Sequence, residues 1–306
     1  TATDVGTARP YDNGAVSVTF TPTGPNAATS FTVTASTGQT ATGASSPIVV
    51  TGIASAASAT FTVKGTNAAG VGAESSASNS VTVTTVPQSP SVSAVTNTCS
   101  GRGFGDGLVI VTVEPRATGG KAISSHYAIS NAAQSASSAT SAVSVTGLSG
   151  GTSYTFQGRV TNANGNSDLT AASGAVTATT VPATPGAPSA SSPSAGTDSV
   201  SWSAPSNGGS GITSYTWAAS DGKSGTTGST SVSVAQEQGT AQTYTVYATN
   251  ACGNSATSGA SGSVTTVFAA FGAFGAFGAF GAFGAFGAFG AFSAFDLSQS
   301  KTACIH

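Results

Sequence analysis

The chain has 306 residues, of which 6% are charged, and a formal net charge of −2. Its Lys and Arg residues are scattered rather than gathered into a basic patch or stripe, which argues against nucleic acid as a partner. Gly, Ala, Ser and Thr fill most positions, a bias toward β-structure and turns with little helix.

The sequence opens without Met, a charged n-region or an apolar h-region, so any secretion signal is expected to have been removed or to lie upstream. Repeats of about 90 residues then favour three small domains over one large core. Aligned on Thr-Asn-Ala-x-Gly, they bring Thr66-Asn67-Ala68-Ala69-Gly70, Thr161-Asn162-Ala163-Asn164-Gly165 and Thr249-Asn250-Ala251-Cys252-Gly253 together. Each is preceded by a run that alternates in size, with Phe61 and Val63, Phe156 and Gly158, and Tyr244 and Val246 in equivalent places. Period-two alternation predicts a half-buried strand, and the Asn/Gly ending supplies its turn. The same logic predicts strands at 15–20, 108–113 and 199–203, followed by 30–35, 126–130 and 214–219. Short strands at regular spacing, separated by Gly, Pro and Asn turns, specify an all-β sandwich.

The segments Ser199-Val200-Ser201-Trp202-Ser203-Ala204-Pro205 and Gly151-Thr152-Ser153-Tyr154-Thr155-Phe156 through Gly165 resemble fibronectin type III modules of bacterial and phage surface proteins. The resemblance covers about residues 1–267 and implies three tandem fibronectin type III/Ig-like β-sandwiches, at 1–86, 87–181 and 182–267, in a spacer, adhesin or scaffold role. Domain 1 is expected to have a shortened first strand, because the proline linkers before domains 2 and 3 have no counterpart before Thr1. The strand-B tryptophan, Trp202, is replaced by Phe20 and Val113, and the tyrosine-corner position, Tyr154, by Ala59 and Gln242. Domains 1 and 3 should therefore lack one hydrogen bond. Family topology also implies that Cys99 and Cys252 face each other across the junction of domains 2 and 3 as a candidate disulfide, the alternative being two buried or free thiols; Cys304 is the third cysteine.

The residues offer little catalytic chemistry. Of two histidines, His306 is terminal and His126 reads as a satisfied structural residue in a strand beside Tyr127. Asp12-Asn13-Gly14 and Gly105-Asp106-Gly107 recur in equivalent turns, where backbone geometry explains them better than calcium. No nucleophile elbow, phosphate loop, zinc spacing or His-Glu-x-x-His pattern occurs, so no enzyme, no metal and no cofactor are expected. There is no Asn-x-Ser/Thr sequon, and O-linked sugar would be unlocalised. Gly101-Arg102-Gly103 is followed by Phe104, so an Arg-Gly-Asp tripeptide is absent too.

The repeat unit Thr84-Thr85-Val86-Pro87 returns as Thr179-Thr180-Val181-Pro182, but Thr265-Thr266-Val267 meets Phe268. From there a Phe-Gly-Ala tail, 268–306, holds ten of the fifteen phenylalanines: Phe268, Phe271, Phe274, Phe277, Phe280, Phe283, Phe286, Phe289, Phe292 and Phe295. Exposed, ten such rings present about 1,500 Å² of apolar surface, beyond what a soluble monomer tolerates. Burying them is worth roughly 15–30 kcal/mol, more than the roughly 0.5–1 kcal/mol that each interspersed glycine costs. A repeat of three suits neither strand nor α-helix; a threefold polyproline-II-like helix would span about 87 Å.

These residues form the candidate assembly site of a homo-oligomer, helical or fibrous, located outside the cell or on a cell or virion surface. The shortened first strand of domain 1 marks where an extended segment could be accepted by strand addition. Two readings stand behind it: an adhesin whose loops hold surface glycans or a host surface, and a membrane anchor, which the regular glycines and the missing basic flank disfavour.

Overall fold

The computed structural model describes residues 1–24, 26–99 and 101–269. Of these, Thr1–Phe268 forms one compact unit, and no helix occurs among the described residues.

Each repeat contributes nine strands in the same order. Module 1 holds β1 (Ala2–Asp4), β2 (Gly14–Val18), β3 (Ser30–Ala35), β4 (Thr40–Gly43), β5 (Ile48–Ile53), β6 (Ser58–Ala59), β7 (Phe61–Asn67), β8 (Gly70–Val71) and β9 (Val81–Thr82). Module 2 holds β10 (Ser91–Thr98), β11 (Gly107–Glu114), β12 (Ile123–Ser130), β13 (Ser135–Ser138), β14 (Ala142–Leu148), β15 (Ser153–Tyr154), β16 (Phe156–Asn162), β17 (Gly165–Asn166) and β18 (Val176–Thr177). Module 3 holds β19 (Ser189–Ser194), β20 (Thr197–Ser201), β21 (Ile212–Ala219), β22 (Ser224–Thr227), β23 (Ser231–Ala235), β24 (Ala241–Gln242), β25 (Tyr244–Asn250), β26 (Gly253–Asn254) and β27 (Val264–Thr265).

The pairing repeats as well. In module 1 a three-stranded sheet β1-β2-β5 faces a four-stranded sheet β4-β3-β7-β8, and a short β6-β9 ladder closes one end; modules 2 and 3 reproduce all three. This is the fibronectin type III/Ig-like arrangement, and the described residues are all-β. Alternate residues of the facing strands fill each core. Val16, Val33, Val50 and Phe61 do so in module 1, Val109, Val111, Leu148 and Phe156 in module 2, and Val200, Tyr215, Tyr244 and Val246 in module 3. Strand β20 starts and stops earlier than its residues suggest. Trp202 lies past its end, buried, with its backbone N–H donating to Thr230 O at 3.0 Å.

The outer edge of the long central strand is covered in a way that the sequence reading did not anticipate. After β26 no further strand forms beside β25. Instead Ser255, Ser258 and Ser261 each donate a backbone N–H to the carbonyls of Ala248, Val246 and Tyr244 at 2.8 Å. Their Oγ atoms accept the N–H groups of the same three residues at 3.0, 3.0 and 2.9 Å. Ser167, Thr170 and Ser173 do the same along β16, for Val160, Gly158 and Phe156. Module 1 keeps two such rungs, Ser75 and Ser78, with Gly72 at the third place. Three residues of this segment span two strand residues, about 6.7 Å, so it rises only about 2.2 Å per residue. A strand could not fit that spacing. Hydroxyls at every third position supply the acceptors that a strand's carbonyls would otherwise give.

Candidate functional site

In each module the loop between the second and third strands and the loop after the seventh lie at one pole. The loops after the first and fifth strands lie at the other. Successive modules meet pole to pole.

The closing strands fix which residues correspond. Ala59 pairs with Val81, Tyr154 with Val176 and Gln242 with Val264. The next backbone N–H groups but two are held alike: Thr84 N donates to Asp4 Oδ1 at 3.1 Å, Thr179 N to Asn97 Oδ1 at 3.0 Å and Val267 N to Ser192 Oγ at 3.0 Å. Val267 therefore stands where Thr84 and Thr179 stand, and Phe268 where Thr85 and Thr180 stand. The matching of Thr265-Thr266-Val267 to Thr84-Thr85-Val86 by sequence is thus two residues out of register. Phe268 replaces a junction threonine.

That threonine is central to both junctions. Thr85 N donates to Gly119 O and Thr180 N to Gly208 O, both at 2.9 Å. In return Asn162 Nδ2 donates to Thr85 O and Asn250 Nδ2 to Thr180 O, again at 2.9 Å. The same amides reach Thr118 O and Asn207 O at 2.8 Å, which ties the two loops of each receiving pole together. Both threonines are fully buried. Glycine is required opposite them: a Cβ on Gly208, at φ +66°, would lie 2.5 Å from Val181 O, and one on Gly119, at φ +69°, 2.5 Å from Thr85 O.

Cys99 and Cys252 are joined as a disulfide across the second junction, with their Cα atoms 5.1 Å apart. In the first junction Gly6 and Asn164 occupy those two places. Asn164 Nδ2 donates to Thr84 Oγ1 at 2.8 Å, and Asn164 O accepts from Ala8 N at 2.8 Å. One junction is thus closed covalently and the other by an asparagine.

The two outer poles differ from the junctions. At the far pole of module 3 the first two strands are linked by only Ala195 and Gly196, whereas modules 1 and 2 carry long loops there. Val267 is 42% and Phe268 71% exposed. At the far pole of module 1, Gly24 stands in place of the first glycine of each pair, and a cavity of about 850 Å³ opens between the loops, lined by Phe20, Pro22, Ala28, Phe31, Val63 and Val71 among others. Strand β7 accordingly is half-exposed beyond Phe61, while β16 and β25 bury alternate residues to their ends.

Of the ten tail phenylalanines only Phe268 lies within the described residues. Strand β1 has three residues, against eight in β10 and six in β19. Tyr154 Oη accepts from Ser149 N at 2.9 Å, the tyrosine-corner bond; Ala59 cannot make it, and Gln242 instead accepts from Ser220 Oγ at 2.6 Å. His126 is buried beside Val160 on the core face of β12, and its Nδ1 has no hydrogen-bond partner among the described residues. The expectation of a satisfied histidine is corrected at Nδ1, which its strand turns into the core. The Asx turns tie loops together. Asp12 Oδ1 accepts from Ser55 N at 3.0 Å and Asp106 Oδ1 from Gly147 N at 3.1 Å. Among the described residues no three His, Cys, Asp or Glu gather in a metal-binding group.

No family model matches this chain, and no curated protein does. Among solved structures it is similar to the FN1–FN3 domains of chicken CNTN1, at 14% identity and a TM-score of 0.30, over 87% of this chain and 97% of that one.

Proposed function

We propose that this chain is a non-enzymatic structural subunit of a self-assembling extracellular filament or fibre, held together by burial of its Phe-rich tail against neighbouring copies. One observation carries the reading. At the position where Thr85 and Thr180 are sealed by a following module, the chain places Phe268, 71% exposed, as the first of ten phenylalanines at three-residue spacing. Apolar area of that size requires a cover, and a second copy supplies one. The disulfide between Cys99 and Cys252 suits an oxidising, extracellular setting.

The test compares the full chain with one ending at Val267 by electron microscopy. The full chain is expected to assemble and the shortened one to stay monomeric; fibres of normal form from the shortened chain would sink the tail-driven reading. Detergent-dependent solubility without fibres would favour a membrane anchor, and glycan binding retained by the shortened chain an adhesin.

A further inference from the structure

We propose that copies of this chain dock head to tail, with Phe268 of one copy entering the cavity at the outer pole of module 1 of the next. This rests on the filament reading and says which surfaces meet.

The argument starts from the two internal junctions, which show how one module's end binds the next module's pole. The end residue, Thr85 or Thr180, gives its N–H to a loop glycine carbonyl and its C=O to the amide of Asn162 or Asn250. Phe268 is the third such end residue, by the register of β24 with β27. Asn67 is the third such asparagine, and its side chain is set in the same turn. Its Oδ1 accepts from Ala69 N at 2.9 Å, as Asn162 Oδ1 does from Asn164 N and Asn250 Oδ1 from Cys252 N, both at 2.8 Å. Gly24, at φ +121°, stands where Gly119 and Gly208 stand relative to the following strand.

The two outer poles depart from this pattern in complementary ways. The receiving loops at the internal junctions, with Gly119-Gly120 and Gly208-Gly209, are tight: a Cβ on Gly119, Gly208 or Gly209 would lie 2.5 Å from backbone. Module 1 lacks that glycine pair and offers a cavity of about 850 Å³ walled by Phe20, Phe31 and Val63, and nothing lies within 4 Å of a Cβ placed on Gly24. The larger end residue and the roomier receiving pole match. Because module 3 lacks the long loop after its first strand, this contact covers less than an internal junction and needs the tail to strengthen it.

The junction geometry supplies its own crosslink. Cys99 follows Thr98, which pairs with Leu108, and Ala195 follows Ser194, which pairs with Thr197, the residue in the place of Leu108. Cys252 corresponds to Asn164 and to Ala69. In an inter-copy junction Ala195 should therefore face Ala69 of the next copy. Full-length chains carrying Ala195→Cys and, separately, Ala69→Cys, each with Cys304→Ser, are mixed under mild oxidation, with the native disulfide verified by peptide mapping. A reducible heterodimer absent from either chain alone is the expected result. Fibres without that heterodimer would overturn the docking while leaving the filament reading intact. A heterodimer without fibres would support the docking and overturn the filament, and the absence of both would overturn both.

Discussion

Tyr244 donates a hydrogen bond to Asp198 at 2.8 Å inside module 3, at positions where modules 1 and 2 hold only apolar side chains, Phe61 or Phe156 against Val16 or Val109. Both residues are fully buried. Gln236 Nε2 donates to the same hydroxyl at 3.1 Å, Lys223 Nζ to Gln236 Oε1 at 2.6 Å, and Thr266 Oγ1 to Asp198 Oδ1 at 3.0 Å. Replacing Tyr244 by Phe strips Asp198 of a partner in a closed core and should cost about 1–3 kcal/mol in urea unfolding. Adding Asp198→Val restores the apolar pair of the other modules and should recover most of that loss; if the double variant is as unstable as the single one, the two residues are not coupled.

The same contact sets a pH limit. Burial and then the hydrogen bond to Asp198 push the Tyr244 hydroxyl from its ordinary 10.0 up to about 12. A group that is harder to ionise folded than unfolded contributes its full stability below pH 10.0, and loses it as pH climbs toward about 12. Burial raises Tyr215 in the same direction. Thermal unfolding followed from pH 9 to 12 should therefore fall in the upper half of that range, and Tyr244→Phe should flatten the fall without abolishing it.

At the second junction, Gly208→Ala and Gly147→Ala separate two costs. Gly147, at φ +72°, has nothing within 4 Å of an added Cβ, so its substitution should cost only the left-handed conformation, about 1–2 kcal/mol. Gly208, at φ +66°, meets Val181 O at 2.5 Å as well. It should cost more and should expose the linker near Pro182 to limited proteolysis, whereas Gly147→Ala should leave the cleavage pattern unchanged.

The two junctions should be interchangeable. Cys99→Gly with Cys252→Asn rebuilds in the second junction the pair found in the first, so the modules should remain docked under reducing and oxidising conditions alike. Cys99→Ser with Cys252→Ser has neither bond and should be cut faster near Val181. Equal protease sensitivity of the two variants would show that Asn164 contributes nothing to the first junction.

The sandwich was legible because β7, β16 and β25 alternate in size and end in the same Asn/Gly turn, a local signal that no tertiary contact overrides. The place of Cys99 and Cys252 followed from the resemblance, since no local pattern says that two loops in different modules meet. The register of the third closing strand was not legible. Thr265-Thr266-Val267 copies the letters of Thr84-Thr85-Val86, but pairing of Gln242 with Val264 decides the alignment, and pairing is non-local. The serine rungs were legible in principle: Ser255, Ser258 and Ser261 show their spacing openly, but a period of three fits neither a strand nor an α-helix.

Those rungs also decide how crowded copies can touch. Modules whose regular elements are all short strands are at risk of sticking sideways, edge to edge. Along the β16 and β25 flanks, the covering segment spends its rung amides inward and advances too slowly to keep step with any strand that approaches from outside. That flank is shut to lateral strand pairing.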